Sequence, residues 1–223
     1  MMNKIEIFEN ERATGYDQFV QKWIPNYNSF INQLPKLLNN IEKKEILVVG
    51  CGTGNEIEKI VDTTDFLRIT GVDPSPKMIE QAEVKVGDVA NVKLVTGLVS
   101  DLDLKEKYNV ATLLLVLHFL KDNGDKFNLL ADIAKRLITG ATLVIFDITG
   151  DKNQIQENLK VLRLLLPDDI DKEQIDFRLK RIEDEFFLVS EERLSELLQL
   201  TGFEKPIRFF QSSIYIGWIT KKI

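Results

Sequence analysis

The sequence predicts an α/β fold in which a mostly parallel sheet of seven strands is covered on both faces by helices. Three observations carry this. Short apolar, β-branched runs alternate with segments of helical period from Glu45 to Asp147, the spacing of consecutive βαβ units. Gly50, Gly52 and Gly54 stand at alternate positions where the first such run meets the first such helix. The last two strand-like runs lie too close together for a crossover helix, so they must pair antiparallel.

The elements follow in order. From Ala13 to Leu38 apolar and aromatic residues recur near helical spacing, and Pro25 and Pro35 interrupt them. Short amphipathic helices with bends are expected, forming a cap or lid over residues 1–40 ahead of a domain at 41–223, within one domain overall. Strands are expected at 45–49, 68–73, 92–96, 109–116 and 141–147, and helices at 54–63, 75–85 and 123–138. In Pro74-Ser75-Pro76, Ser75 suits an N-cap and Pro76 the first helical position. Residues 152–184 are charged and helical with a break at Pro167, and define an insert over 150–190. Ser190-Glu191-Glu192-Arg193 opens a further helix that Gly202 closes, and the final strands fall near 206–211 and 213–220.

Composition narrows the function classes. Hydrophobic residues make up 44% and charged residues 29% of 223, with a net charge of −6. Such a chain has no general field for attracting nucleic acid, so a polynucleotide substrate would need a local basic patch. The single cysteine, Cys51, cannot form an internal disulfide and suits a reducing compartment. The start is charged and lacks the apolar core of a signal peptide. The longest apolar run, Val110 to Leu117, is far short of the roughly 20 residues that span a membrane. A cytoplasmic protein without membrane or metal is the expectation.

The glycine turn carries the chemistry. Alternate glycines let the chain leave a buried strand, turn sharply and bring bare backbone against a ligand, while the next helix points free N–H groups at the same place. Asp73 closes the second strand, about where a doubly wound fold holds a ribose diol. A dinucleotide fingerprint would need glycine at Asn55 or at Ile57, and a P-loop would need Gly-Lys-Ser/Thr after Gly54; neither is present. The pattern G-x-G-x-G resembles motif I of the class I S-adenosylmethionine-dependent methyltransferases. Their Rossmann-like sheet also has seven strands with the last reversed. The family often carries an acid where Val48 stands, which removes one indirect contact to the methionine ammonium.

The resemblance narrows further. Tyr16-Asp17, Ile24-Pro25-Asn26-Tyr27, Gly50-Cys51, Thr201-Gly202-Phe203 and Phe209-Phe210-Gln211 are similar to the group of carboxy-S-adenosylmethionine synthases and tRNA wobble-uridine methyltransferase-like enzymes. It implies a cofactor site of Tyr16, Gly50, Cys51, Thr53, Gly52, Gly54, Asp73, Pro74, Ser75, Met78 and Leu115. Gly97, Leu98 and Val99 would hold the adenine; since Leu98 stands where relatives have an acid, either backbone there or Asp101 does this. Cys51 is read as a packing residue, with no neighbour to activate it. The synthases use an arginine at the position that falls on Glu196, with Arg193 one turn earlier, so plain rather than carboxylated cofactor is expected.

For the acceptor side, His118, the only histidine, is the candidate general base, with helix capping and aromatic packing as its other roles. Tyr27 and Asp147 are candidate substrate contacts. Arg178, Lys180 and Arg181 are followed by Glu183, Asp184 and Glu185 and read as a solvated helix face. The expected function is methyl transfer from S-adenosylmethionine, leaving S-adenosylhomocysteine, to a small molecule or a tRNA nucleoside, by a monomer or homodimer. The alternatives are a carboxy-S-adenosylmethionine synthase and a non-catalytic cofactor-binding protein.

Overall fold

The computed structural model describes residues 6–63 and 65–223; the first five residues of the expected cap, and of the start read for a signal peptide, lie outside them. Four short helices lead the chain: α1 (Asn10–Thr14), α2 (Tyr16–Trp23), α3 (Tyr27–Ile31) and α4 (Leu34–Leu38). Pro25 follows the end of α2, but Pro35 sits in the first turn of α4 and starts a helix there. The alternating core follows as β1 (Glu45–Val49), α5 (Asn55–Thr63), β2 (Arg68–Asp73), α6 (Pro76–Val86), β3 (Val92–Thr96), β4 (Tyr108–Leu114), α7 (Asp125–Arg136) and β5 (Leu137–Ile148). Then come α8 (Lys152–Leu165), α9 (Lys172–Glu185), α10 (Glu191–Leu200), β6 (Ile207–Ser212) and β7 (Tyr215–Lys221).

Among the described residues the sheet has seven strands in the order β3-β2-β1-β4-β5-β7-β6. The first five strands run parallel, and β7 is antiparallel to both β5 and β6. Strand order reverses between β1 and β4, which opens a crevice beyond their carboxyl ends. Alternation along β1 assigns its faces. Leu47 and Val49 join the apolar cluster that includes α7 and α10, and Ile46 and Val48 join the one under α4, α5 and α6.

β4 is shorter than its apolar run. Leu115 turns into the left-handed region (φ 59), and the chain passes into a 3₁₀ turn at Leu117–Phe119. That turn aims the end of β4 at the crevice. The leading helices are built into the core. Val20, Phe30 and Leu34 are fully buried, and Phe30 stacks on Phe146 of β5 with ring centroids 4.1 Å apart. Both helices of the insert are capped by aspartates: Asp151 exchanges hydrogen bonds with Gln154, and Asp171 accepts from Glu173 and Gln174.

Candidate active site

A cavity of about 370 Å³ opens at the crevice. Its floor is the glycine turn, where Gly50, Gly52 and Gly54 all have positive φ (67, 52 and 82). A Cβ on Gly50 would meet Val116 Cγ2 at 2.4 Å, and one on Gly54 would press on Ala82 of α6. A Cβ on Gly52 would point at the Tyr16 ring, 3.8 Å away. Side chains are therefore excluded from the turn by backbone geometry, and at Gly50 and Gly54 by close packing.

Asp73 ends β2 at the same place. Its Oδ2 accepts from Gly52 N–H at 3.0 Å and its Oδ1 from Ser75 N–H at 2.8 Å. Burial pushes its carboxyl pKa up, against the pull of those backbone donors. Each oxygen keeps acceptor capacity for one more donor, which is what a pair of ribose hydroxyls requires. Ser75 stands at the N-cap position of α6, but its hydroxyl makes no cap; it accepts from Phe8 N–H at 2.7 Å and ties the leading segment to this rim.

A polar network fixes the outside of the turn. Thr53 Oγ1 and Asn55 Nδ2 both donate to Asp17 on α2, and Lys85 on α6 donates to Asp17 Oδ2 at 2.6 Å and to Asn55 Oδ1. Burial raises the Asp17 carboxyl, but hydrogen bonds from Lys85 and Thr53 bring it below its ordinary value. Thr53 is thus a strut facing α2. Cys51 is buried against Gly71 of β2, and burial raises its thiol, as a packing residue requires.

At the far wall His118 is backed by a buried carboxylate. Asp147 at the end of β5 is 1% exposed. Its Oδ2 accepts from Val116 and Leu117 N–H, and its Oδ1 accepts from Ile148 N–H and lies 2.7 Å from His118 Nδ1. Burial raises this carboxyl, but His118 and the donors more than offset it, so it is ionised. An ionised carboxylate only accepts, so His118 Nδ1 donates to it, leaving Nε2 as the ring nitrogen not engaged by Asp147. His118 lines the cavity, its ring packed between Phe119 and Phe186.

Of the residues expected at the cofactor, Tyr16, Gly50, Gly52, Asp73, Pro74, Ser75, Met78 and Leu115 line this one cavity. Cys51, Thr53, Gly54, Gly97, Leu98 and Val99 do not. Leu98 N–H is taken by Asp101 Oδ2 at 2.8 Å, so the Asp101 carboxylate folds onto its own turn. On the acceptor side, Asp147 turns inward because it collects four donors, and Tyr27 is buried in the core with its hydroxyl 3.5 Å from Asn55. Both therefore stand behind the wall rather than in it. Arg193 is paired with Asp122 at 2.8 and 3.0 Å and with Glu196 at 2.6 Å, and neither Arg193 nor Glu196 lines the cavity. Glu196 therefore does not set a preference between plain and carboxylated cofactor in this cavity.

Arg178 departs from the solvated face read from the sequence. It lines the cavity with its guanidinium 4.0 Å from the Phe19 centroid and 5.3 Å from that of Trp23. Lys180 does sit in solvent, paired with Asp184. The missed signal was helical phase, because Ile175, Arg178, Leu179 and Ile182 share one apolar stripe.

Three comparisons bear on this geometry. A family model described as a methyltransferase domain matches residues 47–143, which contain the glycine turn, Asp73 and His118. That stretch, under half of the chain, is similar to methyltransferase domains. The chain is 22% identical to a carboxy-S-adenosyl-L-methionine synthase of Yersinia pseudotuberculosis, over 96% of this chain and 92% of that one. It is 26% identical to a malonyl-[acyl-carrier protein] O-methyltransferase of Acetivibrio thermocellus over 59% of this chain, and spans only 45% of that relative's length. The fold matches that of a magnesium protoporphyrin IX methyltransferase from Synechocystis PCC 6803, solved with bound S-adenosylhomocysteine. That TM-score is 0.66 at 15% identity, over 94% of this chain and 95% of that one. S-adenosylmethionine fits the residues present: bare backbone at Gly50 and Gly52, and two acceptor positions left on Asp73. Among the described residues no metal-binding cluster occurs and no helix is long and apolar enough to cross a membrane.

Proposed function

We propose that this protein transfers a methyl group from S-adenosylmethionine to a small organic acceptor. The observation that carries the reading is a single cavity running from the glycine turn and Asp73 to His118. Asp73 would hold the ribose hydroxyls, Gly52 and Tyr16 the methionine portion, and Pro74 and Met78 the adenine. Bound there, the cofactor supplies a methyl group activated by a positively charged sulfur. The chain positions the acceptor, keeps water out with Phe8, Phe119 and Phe186, and takes up the acceptor's proton on His118 Nε2. The leading helices act as the lid, since Tyr16 lies against Gly52.

The acidic balance favours a metabolite over a tRNA nucleoside, and a cytoplasmic monomer or homodimer fits the single buried cysteine. Calorimetry with S-adenosylmethionine and S-adenosylhomocysteine in chelator tests the reading: both should bind, and preference for NAD would overturn it. The carboxy-S-adenosylmethionine synthase stays as the second reading, because that relative matches along nearly its whole length. The mass of the nucleoside that co-purifies separates the two.

A further inference from the structure

The sheet order sets out the cavity like a ruler. Strands lie about 4.8 Å apart, so β5 is three spacings, about 14 Å, from the ribose end at β2 and Asp73. A nucleoside seated on Asp73 places its methionine part at the β1–β4 switch point. What remains of the cavity, over the ends of β5 and β7, is where an acceptor must sit. That end is lined by Phe186, Ile148 and Tyr215, and by Arg178 from α9.

The cations of the cavity differ in how they are satisfied. Arg12 pairs with Glu6 at 2.7 Å, and Arg181 pairs with Glu185. Among the described residues no carboxylate lies within ion-pair distance of Arg178. Its neighbours are the faces of Phe19 and Trp23 and the hydroxyl of Tyr215, itself 1% exposed. Burial costs such a cation part of its hydration, and a neutral phenol does not replace a counter-ion. The two rings hold the guanidinium in place, and with five N–H donors it has more than the Tyr215 hydroxyl can accept, which suits a planar bidentate partner.

We propose that the acceptor is an apolar carboxylic acid whose carboxylate docks on Arg178, with its hydrocarbon body against Phe186 and Ile148. Arg178 is thus the specificity residue of the acceptor site. The proposal deepens the methyltransferase reading and rests on it for the direction from which the acceptor meets the cofactor.

The test titrates the protein, with and without saturating S-adenosylhomocysteine, with benzoate, phenylacetate and hexanoate and with the three corresponding amides. The acids should bind the wild-type protein at least tenfold more tightly than their amides. Arg178→Gln should remove that preference, leaving amide and S-adenosylhomocysteine affinity unchanged, and Arg178→Lys should retain part of it. Melting curves show whether each variant is folded; the acid-against-amide comparison on the wild-type protein needs no variant. Equal binding of acids and amides, or an unchanged preference in Arg178→Gln, would overturn the proposal. So would a variant that loses only a carboxylated cofactor, because the clamp would then serve the cofactor. A protein that takes the acids through Arg178 but refuses S-adenosylhomocysteine would keep the anion site and sink the methyltransferase reading instead.

Discussion

Lys85 on α6 reaches across the glycine turn to Asp17 on α2, Nζ to Oδ2 at 2.6 Å, with Thr53 and Asn55 hydrogen-bonded to the same aspartate. One carboxylate thereby joins α2, the glycine turn and the helix after Asp73. Helix α2 and the turn should move as a unit. Lys85→Met should weaken S-adenosylmethionine binding about three- to tenfold, the low end expected because both side chains keep some exposure. Titration at low and high salt checks it, and an affinity equal to wild type at both would rule out the latch.

Asp73 has two duties, because it holds Gly52 and Ser75 as well as offering its remaining lone pairs outward. Asp73→Ala should cut cofactor affinity at least tenfold, on the order of 1.5–3 kcal/mol per charged hydrogen bond, and should also lower the melting temperature without ligand. Asp73→Asn keeps an acceptor for one backbone donor and should melt closer to wild type while still binding poorly. An unchanged affinity in both would reduce Asp73 to a brace for the turn.

Glu56 at the start of α5 is buried, accepts from Thr112 Oγ1 at 2.9 Å on one oxygen and has no partner on the other among the described residues. Burial pushes its pKa from 4.5 to about 8. The folded state therefore holds a proton that the unfolded state releases between about pH 4.5 and 8. Stability should fall with rising pH across that window, by at most about 1.4 kcal/mol per unit. Denaturant titrations of wild type and Glu56→Gln at pH 5 and pH 8 test this: the fall belongs to wild type and should be absent from the glutamine variant.

His118→Asn should lower kcat on the order of 100-fold while changing KM and cofactor affinity little. Asp147→Asn should do more general damage, on the order of 3 kcal/mol of stability, because an amide nitrogen would face donors that now meet a carboxylate. If His118→Asn turns over at the wild-type rate, positioning alone drives transfer and the dyad is a wall brace.

The cap should not be removable. Phe30→Ala, which deletes a ring packed on Phe146, should cost about 3–5 kcal/mol, and a chain lacking residues 1–40 should fail to give a cooperative melt. A sharp transition from the truncated chain would show that the sheet carries its own core.

The sequence by itself determined the order of strands and helices, the reversed final strand, the glycine turn and the acid after β2. Each depends on neighbours in the chain: residue period, glycine at positive φ, and the short connection that forces a hairpin. Tertiary structure alone decided which side chains share the cavity. Asp147 sits at the carboxyl edge as its strand implies, yet the turn after Leu115 folds two backbone donors, Val116 and Leu117, and His118 onto it, and no local rule places that turn. Arg178 was legible as a charge, and its stripe with Ile175, Leu179 and Ile182 was there to be read. That it faces Phe19, Trp23 and Tyr215 depended on how α9 docks against a helix and a strand far away in the chain. Long-range packing sets such contacts, because burial rewards the fit of whole faces rather than any single spacing.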